Sequence, residues 1–282
     1  MKKKIATIAT TLALAIAALA GVQAQAGQLM DRISSGKSIR IGYANEPPFA
    51  FPDANNKPAG YVNTYVLGVL REMGYDNVET VVTDWGGLIP ALQSDRLDLI
   101  TGGLYILHSR CENVAFSEPM AKVSDAFIVL SGNPKAITTY KDLAKSGETM
   151  VTGIGYSLIE NAKKDGVPAS QIMEVPGPSE MLAAVIAGRA AAGAHSYLTL
   201  KDMASKAPGK VEVTDPNALP DWTKNWVSVG FRDGDKDFVE KFNAAQKKYL
   251  GTPPMMEAVK QYGYDKSMLP GDQTAEWICA NR

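Results

Sequence analysis

From residue 38 onward the apolar positions switch repeatedly between two periods. "SIRIGYA" (38–44) alternates as a half-buried strand does, and "YVNTYVLGVLREMGY" (61–75) has the three-and-four spacing of an amphipathic helix that stops at Gly74. "NVETVVT" (77–83) then predicts a strand, "GLIPALQSDR" (87–96) a helix and "LDLITGG" (97–103) a buried strand. This β-α-β-α-β order points to an α/β unit with a mostly parallel sheet covered by helices on both faces.

A second unit repeats the pattern. After the strand "AFIVLSG" (126–132) come a helix at 140–147, a strand at 149–155, a helix at 156–166, a strand at 171–176, a helix at 179–189 and a strand at 190–196. "LIPALQSDRLDLI" (88–100) and "MLAAVIAGRAAAG" (181–193) share a helix, an arginine at the same offset and a following apolar or small-residue strand. The echo fits two similar α/β lobes, although helix–strand units are common enough to coincide by chance. The tail offers a strand in "WTKNWVSVGFRDGD" and helices over 236–250 and 253–262.

The first residues change the picture of where the chain works. "MKKKIATIATTLALAIAALAGVQAQAGQ" has three lysines, an apolar run and a small-x-small ending, the layout of a secretory signal peptide over residues 1–26. With Lys2, Lys3 and Lys4 removed, 26 basic residues face 30 acidic ones, a formal charge of −4. A mildly acidic chain with no basic block is a poor nucleic-acid binder. The two cysteines, Cys111 and Cys279, read as one disulfide in an oxidising compartment, with two separate buried thiols as the alternative. Such a bond would return the tail to the first lobe. The chain would then cross between lobes twice, near 128–132 and 226–231, which makes a hinge around a cleft.

The candidate chemistry collects at one sheet edge. Phe49, Trp85 and Tyr105 follow the carboxyl ends of predicted strands, where open α/β sheets bind ligands, and their rings could face a cation instead of filling core. Glu46, in the proline-stiffened "ANEPPFAF" (44–51), could accept hydrogen bonds from a cationic group or be a solvated acid. Arg110 could fork onto a carboxylate or pair at the surface with Glu112. "TGIGYS" (152–157) opens a helix, so its N–H groups and Ser157 could hold a carboxylate, or Ser157 could simply cap. His108 and His195 are the only histidines and no metal-ligand spacing exists, so neither a metal nor another cofactor is expected. No activated serine or acid/base pair is marked, and catalysis has no positive support.

Together, the signal peptide, the two lobes and "GGLYILHSRCENVAFSEPM" (102–120) resemble the periplasmic solute-binding proteins of ABC importers, type II topology. The nearest set is the family 3 polar amino-acid receptors, which carry an arginine shortly before "DFSxP"; Arg110 and "AFSEP" (115–119) match, with Ala115 in place of the aspartate. "NEPPF", the aromatic at Trp85 before "G-x-I-P", Tyr105 after "GL" and Arg110–Cys111 are similar to ectoine/hydroxyectoine-binding proteins. That resemblance implies a two-lobed fold with lobe 1 over 27–129 and 229–282 and lobe 2 over 130–228. It implies three aromatics around a ring cation, Glu46 accepting its N–H, Arg110 on its carboxylate and Ser157 opening the second-lobe helix.

Ordinary amino-acid receptors place an aspartate for the α-ammonium where "GAHSYL" (193–198) stands here, and Ser196 occupies its approximate position. The expected ligand is therefore a carboxylate joined to a delocalised or alkylated cation. The expected partner is an inner-membrane ABC permease, and the expected state is a periplasmic monomer. Two alternatives stay open. One is a polar amino-acid or opine receptor; the other is a cyclohexadienyl dehydratase-like enzyme, for which Glu46 and His195 would supply the acid/base chemistry.

Overall fold

Leu99–Tyr105 and Asn225–Phe231 are buried along their whole lengths, as strands in the middle of a covered sheet must be. In the computed structural model, which describes residues 27–282, they lie side by side and antiparallel in the first of the two large sheets. The expected signal segment, 1–26, lies outside the described residues.

The first sheet runs Val78–Val82, Ile39–Tyr43, Leu99–Tyr105, Asn225–Phe231, Ala115–Phe116, with Ala121–Val123 also paired to Asn225–Phe231. The second runs Ile172–Val175, Met150–Gly153, Ala192–Ser196, Asp125–Leu130, Val211–Val213. In each sheet the first three strands are parallel and the next is antiparallel. The two lobes thus share one strand order, and the helix–strand segments that echo each other in sequence, ending in Leu99–Tyr105 and Ala192–Ser196, occupy the same place in both. The structure thus has the two α/β lobes expected from the sequence, each on a mostly parallel sheet.

Each sheet has its own core. Helix Tyr61–Glu72 turns Tyr61, Tyr65, Val66, Val69 and Leu70 onto the first sheet, where they pack with Ile41, Phe231 and Phe242. In the second lobe Phe127, Ile128, Leu143, Val151, Met181 and Leu200 form the corresponding cluster. A smaller cluster, Leu88, Leu92, Ile100, Trp226 and Ile278, seats the C-terminal helix Ala275–Asn281. Cys111 and Cys279 form a disulfide between that helix and the short helix His108–Cys111, across 168 residues of sequence.

The lobe boundaries require correction. Asp125–Leu130 lies entirely in the second sheet and Asn225–Phe231 entirely in the first, so neither strand is divided at 129/130 or 228/229. The chain passes to the second lobe at Ser124, between the strands Ala121–Val123 and Asp125–Leu130, and returns within 214–224. The two passages lie side by side, because Asn225 pairs with Val123. Asn225 Nδ2 donates to both oxygens of the buried Asp125 (3.2 and 3.1 Å), and Asn161 Nδ2 donates to one of them at 3.2 Å.

Candidate functional site

The cleft between the lobes closes on one cavity of about 350 Å³, including its part open to solvent, and six of the seven expected ligand residues line it. These are Glu46, Phe49, Trp85, Tyr105, Arg110 and Ser157; Tyr156 and His195 complete the polar and aromatic wall.

Glu46 and Phe49 are set by the loop after the first strand. Glu46 N–H donates to Ala50 O (2.8 Å) and Ala50 N–H returns to Glu46 O (3.1 Å), which pins the base of the loop around the two prolines. Tyr61 N–H and Val62 N–H, at the start of a helix where no earlier turn can satisfy them, donate to Pro48 O and Phe49 O at 3.0 and 2.9 Å. The Phe49 ring lies over Gly103, whose φ of +86° suits glycine and where a Cβ would come within 2.5 Å of Phe49 Cδ1. Phe51 faces away and meets Tyr262 edge-on.

Arg110 is 9 % exposed and has no carboxylate partner among the described residues. It does not pair with Glu112, which approaches His108 instead. Its guanidinium donates to Tyr105 O (3.1 Å) and, across the cleft, to Gly155 O (3.3 Å), and it lies 5.9 Å from the Trp85 ring centroid. Burial lowers its pKa to about 10. A buried guanidinium with no carboxylate partner beside a cavity can pair with an anion that enters it.

Ser157 is the first residue of the helix Ser157–Lys164, not its cap; the N-cap is Tyr156, which makes no side-chain capping bond. Ser157 and Leu158 line the cavity, so the helix start faces it with backbone N–H groups that have no partner one turn earlier. They can act with Arg110 on one carboxylate.

Ser196 does not line the cavity. It is fully buried, caps the helix Tyr197–Ser205 by accepting from Thr199 N–H (3.4 Å), and donates to Thr199 Oγ1 (3.1 Å). Side chains alternate along a strand, so the preceding residue, His195, faces the ligand side instead.

Tyr156 was not among the expected site residues, although it adjoins Ser157 in "GIGYS". Its ring packs on Gly153, where a Cβ would stand 2.3 Å from Cζ. Its hydroxyl reaches across the cleft to Glu46 Oε1, and His195 Nε2 lies 3.2 Å from Glu46 Oε2. Burial, and then the Glu46 carboxylate, push the Tyr156 phenol well above its ordinary pKa, so it stays protonated and donates. Trp85 meets Tyr156 edge-on at 5.5 Å and packs against the cores on both sides of the cleft. Hydrogen bonds and rings from one lobe thus end on the other.

A two-lobed body with double crossings and a shared, buried, charged cavity has the architecture of a receptor that encloses a small ligand. Residues 39–264 match bacterial extracellular solute-binding proteins, family 3, and the chain belongs to that family. It is similar to the probable amino-acid ABC transporter periplasmic-binding protein y4tE of Sinorhizobium fredii, with 29% identity over 99% of this chain and 93% of that one. Among solved structures, EhuB in complex with hydroxyectoine superposes with a TM-score of 0.82 at 28% identity, over 90% of this chain and 98% of that chain. The ancestral amino acid-binding protein AncCDT-1, a precursor of cyclohexadienyl dehydratase, gives 0.72 at 25% identity, over 83% and 99% of the two chains. Family membership makes the chain an extracellular solute-binding receptor and not an enzyme.

Proposed function

We propose that this receptor captures a small zwitterion, a carboxylate joined to a delocalised or alkylated cation of the ectoine or hydroxyectoine kind. The observation that carries this reading is Arg110, buried and unpaired in a cavity walled by aromatic rings. Arg110 and the start of helix Ser157–Lys164 take the carboxylate, while Phe49, Trp85 and Tyr105 face the cation. Among the described residues Glu46 is the only acid lining the cavity, so no second acid there is offered to an α-ammonium group. This favours the zwitterion over an ordinary amino acid. EhuB, whose solved complex contains hydroxyectoine, lends support through its overall similarity. Closure about Ser124 and the 214–224 segment brings Tyr156 and His195 onto the bound solute. The monomeric receptor, freed of residues 1–26 in the periplasm, then delivers it to an inner-membrane permease.

A thermal-shift and calorimetric screen of ectoine, hydroxyectoine, betaines, opines and amino acids tests the reading. A ligand at a hundred times its Kd should stabilise the protein by about 2.7 kcal/mol. Stabilisation by common amino acids alone would refute the zwitterion assignment.

A further inference from the structure

Within the zwitterion reading, on which this inference rests, the open question is what the cation must look like. A ligand N–H entering an enclosed site needs an acceptor there, because it has left those it had in water. The acid available to it is Glu46, and both oxygens of Glu46 are already addressed from the second lobe. The Tyr156 hydroxyl donates to Oε1. His195 serves Oε2: Ser196 N–H donates to His195 Nδ1 at 2.7 Å, which leaves the ring proton on Nε2, 3.2 Å from Glu46. An N–H-bearing cation must compete with these two donors or hold the lobes apart. Ring faces impose no such demand, since they attract a cation through its charge alone. Tyr156 adds a fourth ring to Phe49, Trp85 and Tyr105, and it is the one that arrives from the opposite lobe.

We infer that, within the class of carboxylates joined to a delocalised or alkylated cation, the site prefers the fully alkylated members, the betaine type of quaternary ammonium carboxylate, to the N–H-bearing ectoine type, and that Tyr156 and His195 set this preference by occupying Glu46. Charge complementarity to the carboxylate is kept while its hydrogen-bonding role is spent on closing the cleft.

Proline, N-methylproline and N,N-dimethylproline isolate the variable, because ring and carboxylate are constant while N–H bonds are replaced by methyl groups. Calorimetry on the whole mature protein should show affinity rising by about tenfold or more from proline to the dimethyl form. Methyl burial alone would raise that ratio equally in any variant, so the decisive readout is its change. Tyr156→Phe keeps the ring and frees Oε1, and the ratio should fall by about tenfold. His195→Leu frees Oε2 and should act in the same direction, which guards against one variant folding poorly. Tighter binding of proline or ectoine than of the dimethyl form, with Arg110 still required, would overturn this inference and leave the zwitterion reading standing. An unchanged ratio in both folded variants would also overturn it. If no zwitterion bound, or binding survived Arg110→Ala, the zwitterion reading would fail and this inference with it.

Discussion

The guanidinium of Arg110 lies 5.9 Å from the centroid of the Trp85 ring, and its two hydrogen bonds end on backbone carbonyls of opposite lobes, Tyr105 O and Gly155 O. One side chain therefore touches the cavity, the aromatic wall and the far side of the cleft. Arg110→Ala should leave the far-ultraviolet circular dichroism unchanged and abolish ligand binding. Truncating one member of a buried charge pair costs about 2–5 kcal/mol, roughly thirtyfold or more in Kd. Unchanged affinity by calorimetry would show that the carboxylate binds elsewhere.

Trp85→Ala should weaken a ring or quaternary cation by roughly thirtyfold and a primary-amine ligand by less, because a desolvated cation–π contact contributes about 2 kcal/mol. Equal losses for both ligand types would remove the aromatic wall from the account of specificity.

Gly103→Ala tests how Phe49 is held. The new methyl group meets Phe49 Cδ1 at 2.5 Å on a backbone with φ +86°. Strain of this kind costs about 1–3 kcal/mol, so both the urea midpoint and ligand affinity should fall. A variant with wild-type stability and affinity would show that the Phe49 position is not critical.

Asp125 links the hinge to pH. Burial raises its pKa to about 7, against the pull of hydrogen bonds from Asn225 and Asn161. The folded state thus binds a proton that the unfolded chain, titrating near 3.9, has already released. This contribution to stability is complete below about pH 4 and is lost as pH rises through about 7. In Asp125→Asn the loss should disappear, so the stability of the variant relative to wild type should increase between pH 5 and 8. Parallel stability curves over that range would contradict the assignment.

Removing the disulfide by Cys111→Ala with Cys279→Ala should lower stability by on the order of 5 kcal/mol on the chain-entropy account. The helix His108–Cys111 carries Arg110, so ligand affinity should fall in the same variant. A stability loss with intact affinity would confine the bond to a role in folding.

Much of this arrangement was legible in the chain. Alternation exposed the strands Ile39–Tyr43 and Val78–Val82, and the apolar run of Leu99–Tyr105 identified a covered strand. The crossings were misplaced because an apolar run such as "AFIVL" states that it is buried without stating in which sheet; pairing with Ala192–Ser196 decides that. Two- and three-residue strands such as Ala115–Phe116 and Ala121–Val123 exist only through their partner Asn225–Phe231 and carry no local signal. In the site, residue type pointed to Arg110 and the aromatics, but a one-residue alternation separated His195, which faces the cavity, from Ser196, which caps a helix. Tyr156 depends on the turn that follows Gly153, a three-dimensional condition that no spacing expresses.

The position of the crossings also has a bearing on modularity. From Asp125 to the return segment the second lobe is one uninterrupted stretch with its own core, whereas the first is assembled from both ends of the chain. Tyr156, Ser157 and His195 therefore travel together as a single cassette, and Glu46, Phe49, Trp85, Tyr105 and Arg110 stay behind. Grafting a relative's segment between the two crossings would exchange one side of the cavity wall in one cut and leave the side with Phe49, Trp85 and Tyr105 in place.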